Sequence, residues 1–269
     1  MKNLIYAFAI SLMLISCSKK EVIYTPRVLT ETELFNSSQE GDALHINKYG
    51  TDERVKEEQK DIEGEFSVKF RDTLVTIQTN PADKASATDK FSFAQYINTQ
   101  KTSVLVQVAD STVKPAPVYI INFNEDKVEV VSLTRPSSGP KDKDYTAGLV
   151  KVAKTGYLIN NDFFVTNVNA KAYVLKREKP EERIQGYYFN LSRDKQTLVF
   201  LMPDNLYQVH FATNESVTVP LGVDPSMSRE QVEGYVASNF IWVFDKGIAF
   251  LKKKGDKSSD KIVDISSFK

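Results

Sequence analysis

The chain has 269 residues, of which 41% are hydrophobic and 26% are charged, and its 35 basic side chains balance its 35 acidic ones. This composition excludes an intrinsically disordered chain, which would have fewer apolar residues and a stronger charge imbalance. The single cysteine excludes an internal disulfide framework. Because the net charge is close to zero, there is no electrostatic footprint for nucleic acid, and we expect no nucleic-acid partner.

An apolar run begins the chain and ends at the cysteine. Lys2 supplies a positive charge, and Leu4 to Ile15 is a run of 12 residues interrupted only by Ser11. Such a run is shorter than the roughly 20 residues that a membrane-spanning helix needs. It fits the apolar region of a secretory signal peptide, so residues 1–16 are predicted to be one.

The last residues of this run, Leu14-Ile15-Ser16-Cys17, resemble the lipobox of bacterial lipoproteins. In that family the cysteine thiol is joined to diacylglycerol, the signal peptide is cut just before it, and the new amino group is acylated. The resemblance implies that Cys17 is the lipidated first residue of the mature chain. Two or more acyl chains make anchoring stable, so the body would stay at a membrane surface. A buried free cysteine after an ordinary signal peptide is the alternative interpretation.

The residues after Cys17 bear on the compartment. Ser18 occupies the position where, in many Gram-negative lipoproteins, an Asp favours retention in the inner membrane. Cys17-Ser-Lys-Lys-Glu21 also resembles the start of many Bacteroidetes lipoproteins. The resemblance therefore implies anchoring at the cell outer membrane, on its periplasmic face or at the cell surface.

Two segments follow the predicted signal peptide. Residues 17–63 are rich in polar and charged side chains, and Asp52 to Ile62 reads as a short charged helix or a mobile tether. We predict that residues 17–63 form a polar tether and that residues 64–269 form a β-rich globular domain. The tether would lift the domain off the membrane.

From Gly64 onward, short runs of β-branched and aromatic residues are separated by turn residues. The pattern predicts about fifteen short strands with a turn signal about every 8 to 12 residues. Phe240 to Leu251, with the turn Asp245-Lys-Gly247, is the strongest hairpin signal. Ser228-Arg-Glu-Gln231 has the form of a capping box and predicts one short helix near 228–237. A weaker helix signal lies at 82–95.

The predicted fold class is mainly β, an antiparallel meander. No amphipathic helices alternate with the strands, which argues against a parallel α/β sheet. Leu191 to Leu221 resembles a β-propeller blade in its succession of hairpins. A propeller-like arrangement is favoured over the alternative of a two-sheet β-sandwich, although the chain lacks the fixed period of about 40 to 50 residues that a propeller should show.

Residue types for catalysis and metal binding are sparse. His45 lies in the polar N-terminal segment, and alternation along its strand directs His210 to solvent or to a second layer, so we read it as a surface histidine. Cys17 is assigned to lipid and no His cluster exists, so no metal site is predicted. Asn122-x-Asn124-x-Asp126 lacks the central Gly of a calcium loop and predicts a hairpin turn.

No motif for nucleotide binding or nucleophilic catalysis is present. The chain contains no Gly-x-Ser-x-Gly and no glycine-rich phosphate loop, so we predict no cofactor and no catalytic residues. Tyr187 and Tyr188 are neighbours that must place one ring on each face of a strand, and Trp242 is the only tryptophan. We take these three rings as candidates for a ligand platform, although rings in strands mostly belong to the core.

These observations favour a non-enzymatic lipoprotein of the outer membrane that acts as a binding or scaffold module. Its partners would be the membrane, through Cys17, and a protein of the cell envelope, for instance as an accessory subunit of a complex. The alternative is a membrane-tethered protein that binds glycans or cleaves them with two carboxylates.

Overall fold

The computed structural model describes residues 22–38, 40–48, 65–80, 82–109, 111–154, 156–224 and 226–255. The predicted signal peptide, Cys17 and the charged stretch 52–62 lie outside the described residues.

The described residues form 22 strands and one helix, of which several strands are only two residues long. In chain order they are β1 (Ile23–Tyr24), β2 (Arg27–Val28), β3 (Phe35–Asn36), β4 (Leu44–Lys48), β5 (Phe66–Phe70), β6 (Thr73–Leu74), β7 (Thr76–Asn80), β8 (Asp83–Thr88), β9 (Phe91–Tyr96), β10 (Ser103–Val108), β11 (Val118–Asn124), β12 (Lys127–Ser132), β13 (Leu149–Val152), β14 (Gly156–Ile159), β15 (Phe163–Thr166), β16 (Lys171–Val174), β17 (Tyr187–Leu191), β18 (Thr197–Leu201), β19 (Asn205–His210), β20 (Glu215–Pro220), α1 (Arg229–Asn239), β21 (Phe240–Asp245) and β22 (Ile248–Lys253).

The strands assemble into five sheets. Sheet 1 contains β1, β7 and β8, and sheet 2 has the order β2-β12-β11-β10-β9-β5-β4 with β6 beside β5. Sheet 3 has the order β13-β14-β15-β16-β3, sheet 4 is β17-β18-β19-β20, and sheet 5 is the hairpin β21-β22. The predicted class, mainly β with antiparallel meanders and one short helix, is confirmed. Within the described residues, no sheet closes into a barrel.

The sheets pack face to face in chain order. Sheet 2 buries Val104, Val106 and Ile121 in a cluster that includes Ile77 of sheet 1, and its opposite face buries Leu105 in a cluster with sheet 3. Sheet 3 in turn packs against sheet 4, and the outer face of sheet 4 packs against α1 and sheet 5. Consecutive meanders stacked in this way resemble neighbouring blades of a propeller, and each packed pair also resembles a sandwich.

Burial of both faces explains the sequences of the inner strands. An antiparallel sheet with one solvated face alternates apolar and polar residues, whereas a sheet covered on both faces needs apolar residues throughout. β11 (Val-Tyr-Ile-Ile-Asn-Phe-Asn) is buried along all but its last residue, and β14 is buried along its whole length.

Tight turns link the strands where the sequence predicts them. In the β11–β12 turn Glu125 and Asp126 both have positive φ, of 47° and 63°, as two-residue hairpin turns of the primed type require. The β21–β22 turn uses Lys246 and Gly247 in the same way, with φ of 49° and 85°. The interpretation of Asn122 to Asp126 as a hairpin turn is therefore confirmed.

The helix α1 begins with the predicted capping box. The Ser228 hydroxyl accepts a hydrogen bond from the Gln231 N–H at 3.3 Å, and the Gln231 side chain accepts one from the Ser228 N–H at 2.7 Å. Val232 and Val236, one turn apart, are buried against sheet 4. The second helix signal, at 82–95, is wrong, because these residues form β8 and β9. Phe91 is buried in sheet 2, and the successive residues Phe93 and Ala94 pack into the clusters on opposite faces of that sheet, as they do in a strand.

The tether predicted over residues 17–63 is wrong for two of its parts, which belong to the body: residues 22–36, which we call the N-terminal arm, and β4, which pairs with β5. β1 pairs with β7, β2 with β12 and β3 with β16, so the arm adds a short strand to each of the first three sheets. Leu29 and Phe35 of the arm are buried between sheets 2 and 3. Strands of two residues carry no periodicity, so the sequence pattern does not reveal them. The two-residue strands also account for most of the difference between the 22 strands observed and the roughly fifteen predicted.

His210 at the end of β19 is buried, and its prediction as a surface histidine is wrong. Both faces of β19 are covered. Gln208, on the same face of β19 as His210, forms hydrogen bonds with the N–H and the carbonyl of Leu251, which shows that sheet 5 covers this face. The His210 ring contacts the Thr213 hydroxyl at 2.8 Å and the Gln196 amide oxygen at 3.2 Å. Burial lowers the pKa of His210 below its ordinary value of 6.5, while Asp194 and Glu215 oppose this effect.

We predict that His210 makes stability fall in mild acid. Because the pKa of His210 is lower in the folded than in the unfolded state, protonation favours unfolding. Stability is then lost as pH falls below the unfolded value of about 6.5, by at most about 1.4 kcal/mol per pH unit. Urea unfolding between about pH 7.5 and about pH 5 should show a shallower pH dependence for His210→Gln than for the wild type. His45→Gln, which removes an exposed histidine, is the control; identical profiles for the wild type and His210→Gln would contradict the prediction.

Candidate functional site

Two clefts of about 380 Å³ each lie against sheet 4, on either side of α1. The first, which we call the tyrosine cleft, is lined by the aromatic residues Tyr145, Tyr187, Tyr188 and Phe189, by apolar residues that include Met202, Leu221 and Met227, and by Asp224 and Arg229. The second, which we call the tryptophan cleft, is lined by Trp242, Phe189, Phe240, Leu251 and α1. Phe189 borders both clefts.

The structure therefore brings two of the three candidate rings together and separates the third. Tyr187 and Tyr188 begin β17, an edge strand of sheet 4, and both line the tyrosine cleft. Tyr187 is 59% exposed, whereas Tyr188 is half-buried against the core between sheets 3 and 4. Trp242 lies in the tryptophan cleft and is half-buried.

Tyr145 completes the exposed aromatic wall. Its ring lies 5.3 Å from that of Tyr187, at an interplanar angle of 53°, so the two rings form a corner rather than a flat stack. Tyr145 comes from the loop 133–148 that connects sheets 2 and 3. Burial and the nearby Tyr187 and Asp144 raise the pKa of Tyr145 above its ordinary value of 10.0.

A buried charge cluster fixes this loop. Asp162, at the β14–β15 turn, is fully buried. One carboxylate oxygen accepts a hydrogen bond from Arg177 Nε at 2.9 Å, and the other accepts one from Arg183 Nε at 2.8 Å. Arg177 Nη1 also donates to the carbonyls of Pro136 and Pro180, at 2.9 and 3.0 Å. Burial raises the pKa of Asp162, and the two guanidinium groups act in the opposite direction.

A second buried carboxylate, that of Asp142, links the loop to the backbone of Arg183. Asp142 accepts hydrogen bonds from the N–H groups of Gly139 and Arg183, at 2.8 and 3.0 Å. Desolvation raises its pKa, but these bonds and one from Ser137 outweigh that effect and lower it. Arg183 also donates to the Thr146 hydroxyl, next to Tyr145. Asp162 pairs with both guanidinium groups, and Asp142 binds backbone N–H groups; together they hold the segment that carries Tyr145.

The charged residues of the tyrosine cleft differ in their pairing. Arg229 Nε lies 3.1 Å from a carboxylate oxygen of Glu233, one turn further along α1. Asp224 accepts hydrogen bonds from the N–H and the hydroxyl of Ser226, both at 2.8 Å, and these bonds lower its pKa. Among the described residues, no cation forms a salt bridge with Asp224.

Other kinds of site are not found in the part of the chain that the structure describes. No group of three or more His, Cys, Asp or Glu side chains there could hold a metal ion. No helix within the described ranges has the length and apolar character needed to cross a bilayer. Comparison with protein-family models, with curated proteins and with solved structures finds no match to this chain.

The sequence pattern misses Tyr145, Asp224, Met227 and Arg229. Tyr145 is the only aromatic residue of the polar loop 134–147, and a lone ring in such a loop is a signal that could have indicated a site. Asp224 precedes Pro225 and the start of α1, which reads as an ordinary turn.

We expect Asp162→Asn to lower the free energy of unfolding by about 3 to 5 kcal/mol, because it leaves two buried guanidinium groups without their counter-charge. Urea or thermal unfolding measures the change. The matched control is Asp42→Asn, which breaks the exposed pair with Arg71 and should cost no more than about 1 kcal/mol. Equal effects of the two substitutions would contradict the assigned role of Asp162.

Proposed function

We propose that this protein is a lipid-anchored, non-enzymatic binding module of the cell outer membrane, and that its ligand binds in the tyrosine cleft. The observation that carries the proposal is the pair formed by Tyr187 and Tyr145. Tyr187 exposes 59% of its surface above an apolar cleft, and its ring is held by contact with Tyr145 rather than by the core.

The lining of the cleft supports a binding role. Small-ligand sites are concave and mostly apolar, with a few polar groups that fix orientation. Tyrosine rings combine a large apolar surface with a hydroxyl, and methionine adapts to irregular ligands. Met227 is 38% exposed at the same cleft, so two large apolar side chains are displayed to solvent there.

The charged and polar groups of the cleft favour binding over catalysis. A hydrolytic site needs a nucleophile with an adjacent base, or two carboxylates on either side of the scissile bond. Of the residues that the structure describes, Asp224 alone brings a carboxylate to the lining of the cleft, and Arg229 is paired with Glu233. Tyrosine rings also stack on sugar faces, so glycan binding is the second candidate for the same cleft.

The N-terminal arm supports placement of the body close to a membrane. Only residues 18–21 lie between Cys17, the proposed lipidation site, and Val22. An extended chain of this length reaches about 18 Å, so a lipidated Cys17 would hold the body near the bilayer rather than on a long stalk. The arm is fixed to the first three sheets, which transmits the anchor directly to the core.

A Cys17→Ala change should leave the precursor uncleaved and unacylated, because lipid attachment to the thiol precedes cleavage in the proposed maturation. Membrane fractionation and mass spectrometry of the purified chain measure both effects. Ser18→Ala, which keeps the thiol, is the matched control and should mature normally. A Cys17→Ala chain that is cleaved and acylated like the wild type would overturn the anchor proposal.

Removal of the exposed ring should abolish ligand retention. We expect the full-length protein, purified from detergent-solubilised membranes, to retain a bound ligand or partner that Tyr187→Ala loses, because the aromatic wall of the cleft is gone. Val168→Ala is the matched control, since Val168 is 64% exposed and lines neither cleft. Native mass spectrometry and a glycan array, read for all three chains, distinguish a protein or small-molecule ligand from a glycan. Equal retention by Tyr187→Ala and the wild type would contradict the assignment of the cleft.

A further inference from the structure

The charge of the tyrosine cleft points to the class of its ligand. Asp224 lines the cleft without an ion-pair partner among the described residues, and its hydrogen bonds from Ser226 stabilise the ionised carboxylate. The positive charge of Arg229 is balanced by Glu233 at 3.1 Å. Of the two charged groups that the structure describes in the lining, Asp224 is therefore the one without an ion-pair partner.

Apart from Arg229, no basic residue in the described part of the chain lines the cleft. Lys253 approaches Gly222, which lies between two lining residues, but its Nζ is held over the ring of Tyr235 at 5.8 Å from the centroid. The negative charge of Asp224 is therefore available to a ligand.

The aromatic rings reinforce this preference. The face of a tyrosine ring carries partial negative charge and attracts a cation within about 6 Å of its centroid. Tyr145 and Tyr187 meet at 53°, so they form two walls of a corner, and Tyr188 lines the same cleft. Aromatic walls beside a carboxylate are the arrangement by which proteins recognise organic ammonium groups.

The depth of the cleft is apolar. Met202 and Leu221, which line the cleft, are buried, and Met227, which also lines it, is 38% exposed. An inorganic cation gains nothing from such a surface, whereas an alkyl group attached to the cation loses unfavourable contact with water there.

We propose that the tyrosine cleft binds an organic cation, an ammonium group on a short alkyl stem, with the cation between Tyr145, Tyr187 and Asp224 and the stem against Met202 and Met227. This inference rests on the proposed function, because it names the ligand class of the same cleft. The cation is a free quaternary amine or the side chain of a lysine on a partner.

Isothermal titration of the full-length protein in a non-ionic maltoside detergent tests the charge directly. Choline and 3,3-dimethylbutan-1-ol have the same shape, but only choline is charged. We expect saturable binding of choline and binding of the neutral alcohol that is weaker by about tenfold, since both the carboxylate and the rings act on the charge. Equal binding of the two probes, or no binding of choline, would overturn the inference.

Substitutions assign the effect to the cleft. Asp224→Asn and Tyr187→Leu should each weaken choline binding by about fivefold, while Tyr187→Phe keeps the ring and should stay within about twofold of the wild type. Asp126→Asn, at the remote β11–β12 turn, is the matched control for charge. Circular dichroism and thermal melting confirm that each variant is folded. If Asp224→Asn behaves like Asp126→Asn, the carboxylate does not recognise a cation.

A further pair of probes separates the two sources of the cation. Tighter binding of Nα-acetyl-lysine amide, whose side-chain ammonium is free, than of choline assigns the site to a lysine of a partner. Tighter binding of choline assigns it to a free amine, and both results support an organic cation as the ligand. Should choline fail while Tyr187→Ala still loses a co-purified ligand, the cation inference falls and the binding function stands. Failure of both experiments removes the cleft as a ligand site.

Discussion

Face-to-face packing between successive antiparallel sheets is the interaction on which the rest of the structure depends. Sheets 2, 3 and 4 each bury both faces, so each contributes apolar side chains to two separate clusters. This removes the usual alternation of apolar and polar residues from their strands. It also makes the order of the sheets in the stack follow the order of the chain, because each meander covers the open face of the meander before it.

The last layer of the stack of sheets covers sheet 4 only in part, and the two clefts lie in the space that it leaves. The outer face of sheet 4 is covered by one short helix and a two-stranded hairpin rather than by a further four-stranded meander. α1 contributes Val232 and Val236 to this layer, but its flanks leave space above β17. The tyrosine cleft is thus a consequence of how the last layer is built, and Phe189 lies beneath α1 between the two clefts.

Connections between sheets supply the functional side chains. The loop 133–148 would have no fixed position on sheet 3 without partners for its polar groups. Asp162, paired with Arg177 and Arg183, and Asp142, bonded to the Arg183 N–H, provide those partners, and Tyr145 is held beside Tyr187 as a result. A buried ionic group costs desolvation energy, so its presence here fits a positioning role better than a purely stabilising one.

The sequence pattern predicts the elements that depend on local chemistry. The primed turns at Asp126 and Gly247, the capping box at Ser228 and the four-stranded meander from Tyr187 to Pro220 follow from turn residues, caps and apolar runs. The exposure of one ring of the Tyr187–Tyr188 pair follows from the period of a strand.

The sequence pattern does not predict features that depend on contacts between residues far apart in the chain. The arm strands β1, β2 and β3 exist only because sheets 1 to 3 offer them edges, and the polar β8 has no apolar alternation to mark it. The burial of His210 depends on sheet 5 covering β19, through Gln208 and Leu251. Likewise Tyr145 and Asp224 come from separate loops and meet Tyr187 only in the folded chain.

The tyrosine cleft is the ligand site that we propose for an organic cation. We would titrate choline into the mature protein, which begins at Cys17 and carries ¹³C in its 11 tyrosines, and follow the ring signals by NMR. If the tyrosine cleft binds an organic cation, the ring signals of Tyr145, Tyr187 and Tyr188 shift together and saturate with one dissociation constant, while the buried Tyr157 and Tyr207 stay unchanged. Tyrosine signals that do not move, or that drift without saturation across the whole protein, would contradict it.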